Sequence, residues 1–378
     1  MKKIFIISSA FFVLILLFYG IYRFGFHKST DNPIANETER QLSKQQVELP
    51  EMPVSNRLAA IVSEPIVGAT LHNGNIAYYS KRDHSLKEVD LNGKNIRALF
   101  ENLPSSLDRI LWSPRGDALL FSVNIDGIAV WHSLNLKDAA PLKLRSEMSR
   151  LAWTSLGDGI LYQYTDPSTK KGSLNFSRPD GQGWKKIIDF EAGSYFIAPV
   201  PQSGVLSFWA RPNGFEQNKL ETVNFSGEGR KTLAENRFGS DFLWSQNGDH
   251  LLIGSVAEKG RNEPLVGIAN NQGGEYRDLL LPTLLSKIVW AKDNTTLFYA
   301  LPNAFPKEAT LPNDYFSRHY QSKDTFWKMN VSTGKRERLI PLEEMNLSLD
   351  ATNLFLSPDE TALFFQDRTS EKLYRLEL

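Results

Sequence analysis

One unit recurs through most of this chain and fixes what it can become: a β-rich run ending in Trp, a polar turn with Gly or Asp, then a second apolar run. The clearest copies are LDRILWSPRGDALLFS from Leu107, SRLAWTSLGDGILYQY from Ser149, SDFLWSQNGDHLLIGS from Ser240 and SKIVWAKDNTTLFYAL from Ser286. Looser copies begin at Ser194 and Ala351, and a shortened one at Gly68, which makes seven. Taking Trp112, Trp153, Pro199, Trp244, Trp290 and Leu356 as equivalent, the intervals are 41, 46, 45, 46 and 66 residues. All but the last fall in the spacing of propeller blades, about 40 to 50 residues.

Each unit has the chemistry of a hairpin. Gly116, Gly157, Gly204 and Gly248 tolerate positive φ, Pro114 and Pro358 preset a turn dihedral, and the adjoining Asp or Asn bonds back to local backbone. Two further strand-like runs follow each unit around a second turn such as Asn92-Gly93, Asp180-Gly181 or Thr333-Gly334, so each repeat supplies four antiparallel strands. The last repeat lacks its fourth, while Leu58–Val62 is an apolar run with no local partner. Pairing the two removes an exposed edge. The expected fold is therefore all-β, a seven-bladed β-propeller of four-stranded blades over 57–378, with the ring closed by the N-terminal strand Leu58–Val62 lying beside Lys372–Leu376.

Two segments precede it. Ile4 to Tyr22 is 19 residues without a charge, and a helix of that length spans about 28 Å, the thickness of a bilayer core. Phe18, Tyr19, Tyr22, Phe24 and Phe26 crowd its distal end where a signal peptidase would need small residues, so residues 1–27 read as an uncleaved transmembrane signal-anchor. Lys2 and Lys3 favour a cytoplasmic N-terminus and an extracytoplasmic propeller. Residues 28–56, rich in Asn, Glu, Gln and Pro, read as a polar tether.

The strand-turn-strand units resemble the TolB-type, WD-like propeller repeats of bacterial envelope proteins and of prolyl-oligopeptidase-type enzymes, most closely at WSPRGDALLF from Trp112. That resemblance implies the blade and the ring. TolB has an additional N-terminal domain where this chain has a tether, so its partners are not implied.

Chemistry is sparse at the level of local motifs. Forty-three Lys and Arg balance 43 Asp and Glu, and there is no Cys, which argues against nucleic acid as a partner and excludes thiolate metal sites. The six His show no metal-ligand spacing, no G-x-S-x-G occurs, and the Gly-rich stretches at 226–229 and 272–274 fall between strands as turns. No catalytic residue, metal or cofactor is therefore assigned, and the chain is expected not to be an enzyme. The repeated Trp are expected to pack between blades. The long sixth repeat stands apart: between Leu301 and Thr325 it inserts three Pro and the cluster Asp314, Tyr315, Phe316, Arg318, His319 and Tyr320, assigned either as a binding surface or as a cover over the channel or neighbouring blades. Deleting 302–323 is expected to spare the fold. The leading function is a membrane-tethered extracytoplasmic binding or scaffold propeller for a protein or polymer partner. The alternative is an enzyme or small-ligand receptor whose residues converge from several blades at the channel mouth.

Overall fold

Hairpins form where the turn chemistry placed them. Gly116, Gly157 and Gly248 adopt φ of 71°, 64° and 76°, and each donates its backbone N–H back across the turn, to Ser113, Thr154 and Ser245. The computed structural model describes residues 57–138, 140–191 and 193–378. The expected membrane segment and tether lie outside the described residues; among those described, no helix is long and apolar enough to cross a membrane.

The strands of the described residues assemble into six antiparallel sheets, five of four strands and one of seven. In chain order of their first hairpin, sheet 1 begins at Ile66–His72, sheet 2 at Leu107–Trp112, sheet 3 at Met148–Trp153, sheet 4 at Tyr195–Pro199, sheet 5 at Ile288–Trp290 and sheet 6 at Ala351–Leu356. Sheet 4 has seven strands because Lys231–Trp244 is continuous over 14 residues. Its first half pairs with Gln217–Asn224 and its second half with His250–Val256. The chain bends between the two at Gly239, where φ is 64°. The strand Leu58–Val62 lies antiparallel to Leu373–Glu377, with Leu58 opposite Leu376 and Val62 opposite Leu373, so sheet 6 is completed by the start of the domain.

Apolar side chains join each sheet to the next. Leu86 and Leu119 belong to one apolar cluster spanning sheets 1 and 2, Trp131 and Trp153 to one spanning sheets 2 and 3, and Leu174 and Phe208 to one spanning sheets 3 and 4. Trp209 and Phe242 link the two halves of sheet 4. Leu252 joins Tyr299, Phe326 joins Phe365, and Phe364 of sheet 6 returns to Tyr78 of sheet 1. The chain of contacts closes on itself, as stacked units must when each face is apolar and no end is capped.

The repeated Trp act within these seams. Trp153, Trp244 and Trp290 are buried. Trp112 donates its indole N–H to the Gly68 carbonyl at 2.7 Å, Trp153 to the Leu111 carbonyl at 2.8 Å, and Trp244 to Ser207 Oγ at 3.0 Å. Each bond reaches the preceding unit, so the ring is latched by hydrogen bonds as well as by area.

Candidate functional site at the channel mouth

The first strands of sheets 1, 2, 3, 4 and 6 enclose a cavity of about 680 Å³. A second cavity of about 420 Å³ shares Gly68, Arg109 and Asn353 with it and opens where these strands begin, beside the long sixth-repeat loop. Together they form a channel with a mouth on that side.

Three residues before the repeated Trp, or its equivalent, stand Arg109, Arg150, Phe196, Asp241, Lys287 and Asn353. The backbone there is irregular. The first hairpins of sheets 2, 3 and 6 slip register at Leu107/Arg109, Ser149/Ala152 and Thr352/Phe355, and Arg150 and Asn353 both sit at φ of 52°. Bulges of this kind re-aim a side chain and hold unfavourable backbone where the surroundings require it.

Arg109, Arg150 and Asn353 line the larger cavity, whose lining contains no carboxylate. Arg150 donates to Ser194 Oγ at 2.6 Å, and its guanidinium lies 5.2 Å from the Phe196 ring centroid. Burial, with Arg109 and Arg211 nearby, holds the Arg150 pKa below its ordinary value. None of these three arginines is paired with a carboxylate among the described residues. At the rim the smaller cavity collects Lys81, Arg109, Arg318 and Arg368 against Asp108 and Glu371. Glu371 is already held by Lys81 at 2.7 Å and faces Arg318 at 3.7 Å, and Asp108 accepts from Ser122 Oγ at 2.5 Å. The mouth is therefore cationic although the chain as a whole is neutral.

Sheet 5 treats the equivalent position in the opposite way. Lys287 is fully buried and donates to Asp324 at 2.6 Å, Asp350 at 2.8 Å, Ser322 Oγ at 3.0 Å and the Ala351 carbonyl at 2.8 Å. Burial pushes the Asp324 carboxyl up despite Lys287. For Asp350 burial acts upward too, but Lys287, Ser322 and Arg368 outweigh it and hold the carboxyl down.

The long loop is built onto this network. Tyr315 is buried, donates its hydroxyl to Asp350 at 3.0 Å and is covered by the Arg368 guanidinium 3.8 Å from its ring centroid. Arg368 donates in turn to the Tyr315 carbonyl at 2.6 Å. Burial, followed by the Asp350 charge, raises the Tyr315 pKa well above its ordinary value. Asp314 accepts from the Thr310 backbone N–H at 2.7 Å and pairs with His319 at 3.1 Å. Tyr320 packs 5.9 Å from the Tyr315 ring, and Phe316 lies over a small void beside Asp241. Of the six residues singled out from sequence, only Arg318 reaches the mouth, and His319 is exposed. The loop also crosses to sheet 4: Asn313 Oδ1 accepts from the Gly214 N–H at 2.8 Å, and its Nδ2 donates to Asn213 at 2.9 Å. A Cβ on Gly214 would stand 2.2 Å from the Leu311 carbonyl oxygen, so the fit requires glycine. Deleting 302–323 would remove Ser322 and Tyr315 from around Lys287, so the expectation that the fold is indifferent to this loop is corrected.

Arg109, Arg150, Arg211, Lys81 and Arg368 were missed from the sequence because each is unremarkable locally. A signal existed in the repeat alignment, where LDRILW, SRLAW, SDFLW and SKIVW all carry a charge three residues before the Trp.

No family model and no curated protein matches the chain. Among solved structures it is similar to an oligogalacturonate lyase in complex with manganese, at TM-score 0.60 and 13% identity over 85% of this chain and 93% of that one. An oligogalacturonate lyase from Vibrio parahaemolyticus gives TM-score 0.59 and 9% identity over the same shares. TolB from Acinetobacter baumannii, at TM-score 0.43, 12% identity and 82% and 78% coverage, is too distant to carry an argument. The lyase propellers correct the expectation that the chain is not an enzyme: a fold of this kind carries catalysis, and a site assembled across blades leaves no local motif. The manganese ion of the first structure finds no counterpart donor set, since no three His, Asp or Glu side chains converge among the described residues. At these identities the likeness establishes a β-propeller fold and nothing finer.

Proposed function

We propose that this chain is a membrane-tethered propeller whose ligand site is the channel mouth, and that the ligand is an anion bearing a carboxylate. The reading rests on one observation: Arg109 and Arg150 face a cavity of about 680 Å³ whose lining offers them no carboxylate. Charged groups brought together without counter-charges cost stability, and an arriving anion recovers it through charge-assisted, bidentate bonds. Trigalacturonate is a convenient first carboxylate probe, because the solved propellers similar to this chain are oligogalacturonate lyases. Arg318 adds a contribution from the long loop at the rim.

The ring is read as seven blades, with the halves of sheet 4 as two that share Lys231–Trp244; seven inter-unit apolar seams support that count. With residues 1–27 read as an anchor from their uncharged apolar run and from Lys2 and Lys3, the ring is read as extracytoplasmic.

The test is calorimetric titration of the full-length chain in lipid nanodiscs with trigalacturonate, with mass spectrometry of the recovered ligand to detect turnover. Saturable binding weakened about tenfold or more by Arg109→Ala with Arg150→Ala is expected, since each lost charged hydrogen bond is worth roughly 1.5–3 kcal/mol. If neither this nor any other carboxylate binds, the proposal fails.

A further inference from the structure

Two residues beyond Arg109 and its equivalents, of which all but Phe196 are polar, every inner strand is apolar. The residue immediately before the repeated Trp or its equivalent is Leu111, Ala152, Ala198, Leu243, Val289 and Phe355, apolar in every case. Four of these, Leu111, Ala152, Ala198 and Phe355, line the same cavity as Arg109 and Arg150. All four are only partly buried by the protein, so their apolar surface faces the cavity. Trp112 and Trp153 continue that lining, with their indole N–H groups already spent on Gly68 and Leu111. What they offer a ligand is therefore carbon surface, with no donor to spare. Along a strand two residues span roughly 7 Å, so a cationic collar sits about one small ring's length above an apolar throat.

We infer that the throat takes an amphipathic carboxylate, its head on Arg109 and Arg150 and its apolar ring or chain against Leu111, Ala152, Ala198 and Phe355. This rests on the anion reading and narrows it. A polyhydroxylated body would lose hydrogen bonds to water on entering this throat and find few partners, whereas an apolar body gains by leaving water. The collar supplies the complementary charge, and Asn353, at the same level as the arginines and exposed, is placed to donate to a second carboxylate oxygen.

The experiment is equilibrium dialysis of the full-length chain in nanodiscs, corrected with empty nanodiscs, against 2-naphthoate, 2-naphthylmethanol, acetate and trigalacturonate. 2-Naphthoate is expected to bind at least about tenfold more tightly than both naphthylmethanol, which lacks the head, and acetate, which lacks the body. Ala152→Phe and, separately, Ala198→Phe fill the throat and are expected to weaken naphthoate about tenfold while thermal unfolding stays near that of the parent; having two such variants guards against one that misfolds. Trigalacturonate binding with naphthoate excluded would overturn the throat inference and leave the anion reading standing. Absence of binding by every carboxylate would overturn both. Naphthylmethanol binding as tightly as naphthoate would show a throat that works without its collar, and would also overturn the inference.

Discussion

Sheets 2, 3 and 5 each carry a cation three residues before the repeated Trp, within the strand at Arg109 and Arg150 and at the end of a 3-10 turn at Lys287, and the molecule uses it in opposite ways. Arg109 and Arg150 face an open cavity without carboxylate partners. Lys287 is sealed off and surrounded by Asp324, Asp350 and Ser322. The long loop marks the difference, because its Tyr315 and Ser322 complete the enclosure on that side. The groups packed against this position, above all the carboxylates of Asp324 and Asp350, decide whether its charge is spent internally or left for a ligand.

The largest effect is expected at Lys287. Replacing it with Met leaves Asp324 buried without its cation and Asp350 with Arg368 alone, and a loss of about 3–5 kcal/mol is expected from denaturant unfolding. Arg109→Ala at the equivalent position is expected to change stability by no more than about 0.5 kcal/mol. Equal losses at the two positions would erase the distinction.

Tyr315→Phe removes one hydrogen bond to a charged, buried carboxylate, and a cost of roughly 1.5–3 kcal/mol is expected in the same measurement. Anion binding at the mouth should survive, because Tyr315 faces Asp350 and not the cavity.

In sheet 4 the equivalent position holds a carboxylate, Asp241, whose effect on stability depends on pH. Burial pushes its carboxyl up to about 6, against the opposing bonds from the Phe242 N–H and the Trp209 indole. The raised value means that the folded state holds the proton more tightly than the unfolded chain does. Its contribution is thus most favourable below about pH 4 and is lost as pH rises through about 6. Asp241→Asn keeps an acceptor for Trp209 and removes the charge. It is expected to stabilise the protein by about 1–2 kcal/mol at pH 7, with the gain vanishing near pH 4 in unfolding curves taken across that range. A gain independent of pH would show that charge is not the cause.

Much of the ring was legible because blades are local objects. Turn glycines, alternating apolar runs and the spacing of Trp112, Trp153 and Trp244 announce hairpins, and the unpaired run at Leu58–Val62 announces the closure observed with Leu373–Glu377. The continuity of Lys231–Trp244 was not legible, since the repeat unit starts at Ser240 and the strand runs into it through Gly239 at φ of 64°. The site was less legible still. Asp314 to Tyr320 stand out by composition, yet most of that cluster packs inward to hold the loop, because Tyr315 finds partners in Asp350 and Arg368, 35 and 53 residues away. Arg109 and Arg150 are 41 residues apart and meet only because successive inner strands stand side by side around a channel. Local reading finds motifs within a strand; a site built from one residue per blade appears when the repeats are laid in register.

The most direct test of a ligand site on the open side of the channel is a crystal of the protein grown with 4-bromobenzoate and measured at the bromine absorption edge. An anomalous peak is expected beside Leu111, Ala152 and Ala198, with the carboxylate on Arg109 and Arg150. Bromine bound only around the long loop or on the outer faces of the sheets, with the collar free of carboxylate, would contradict such a site.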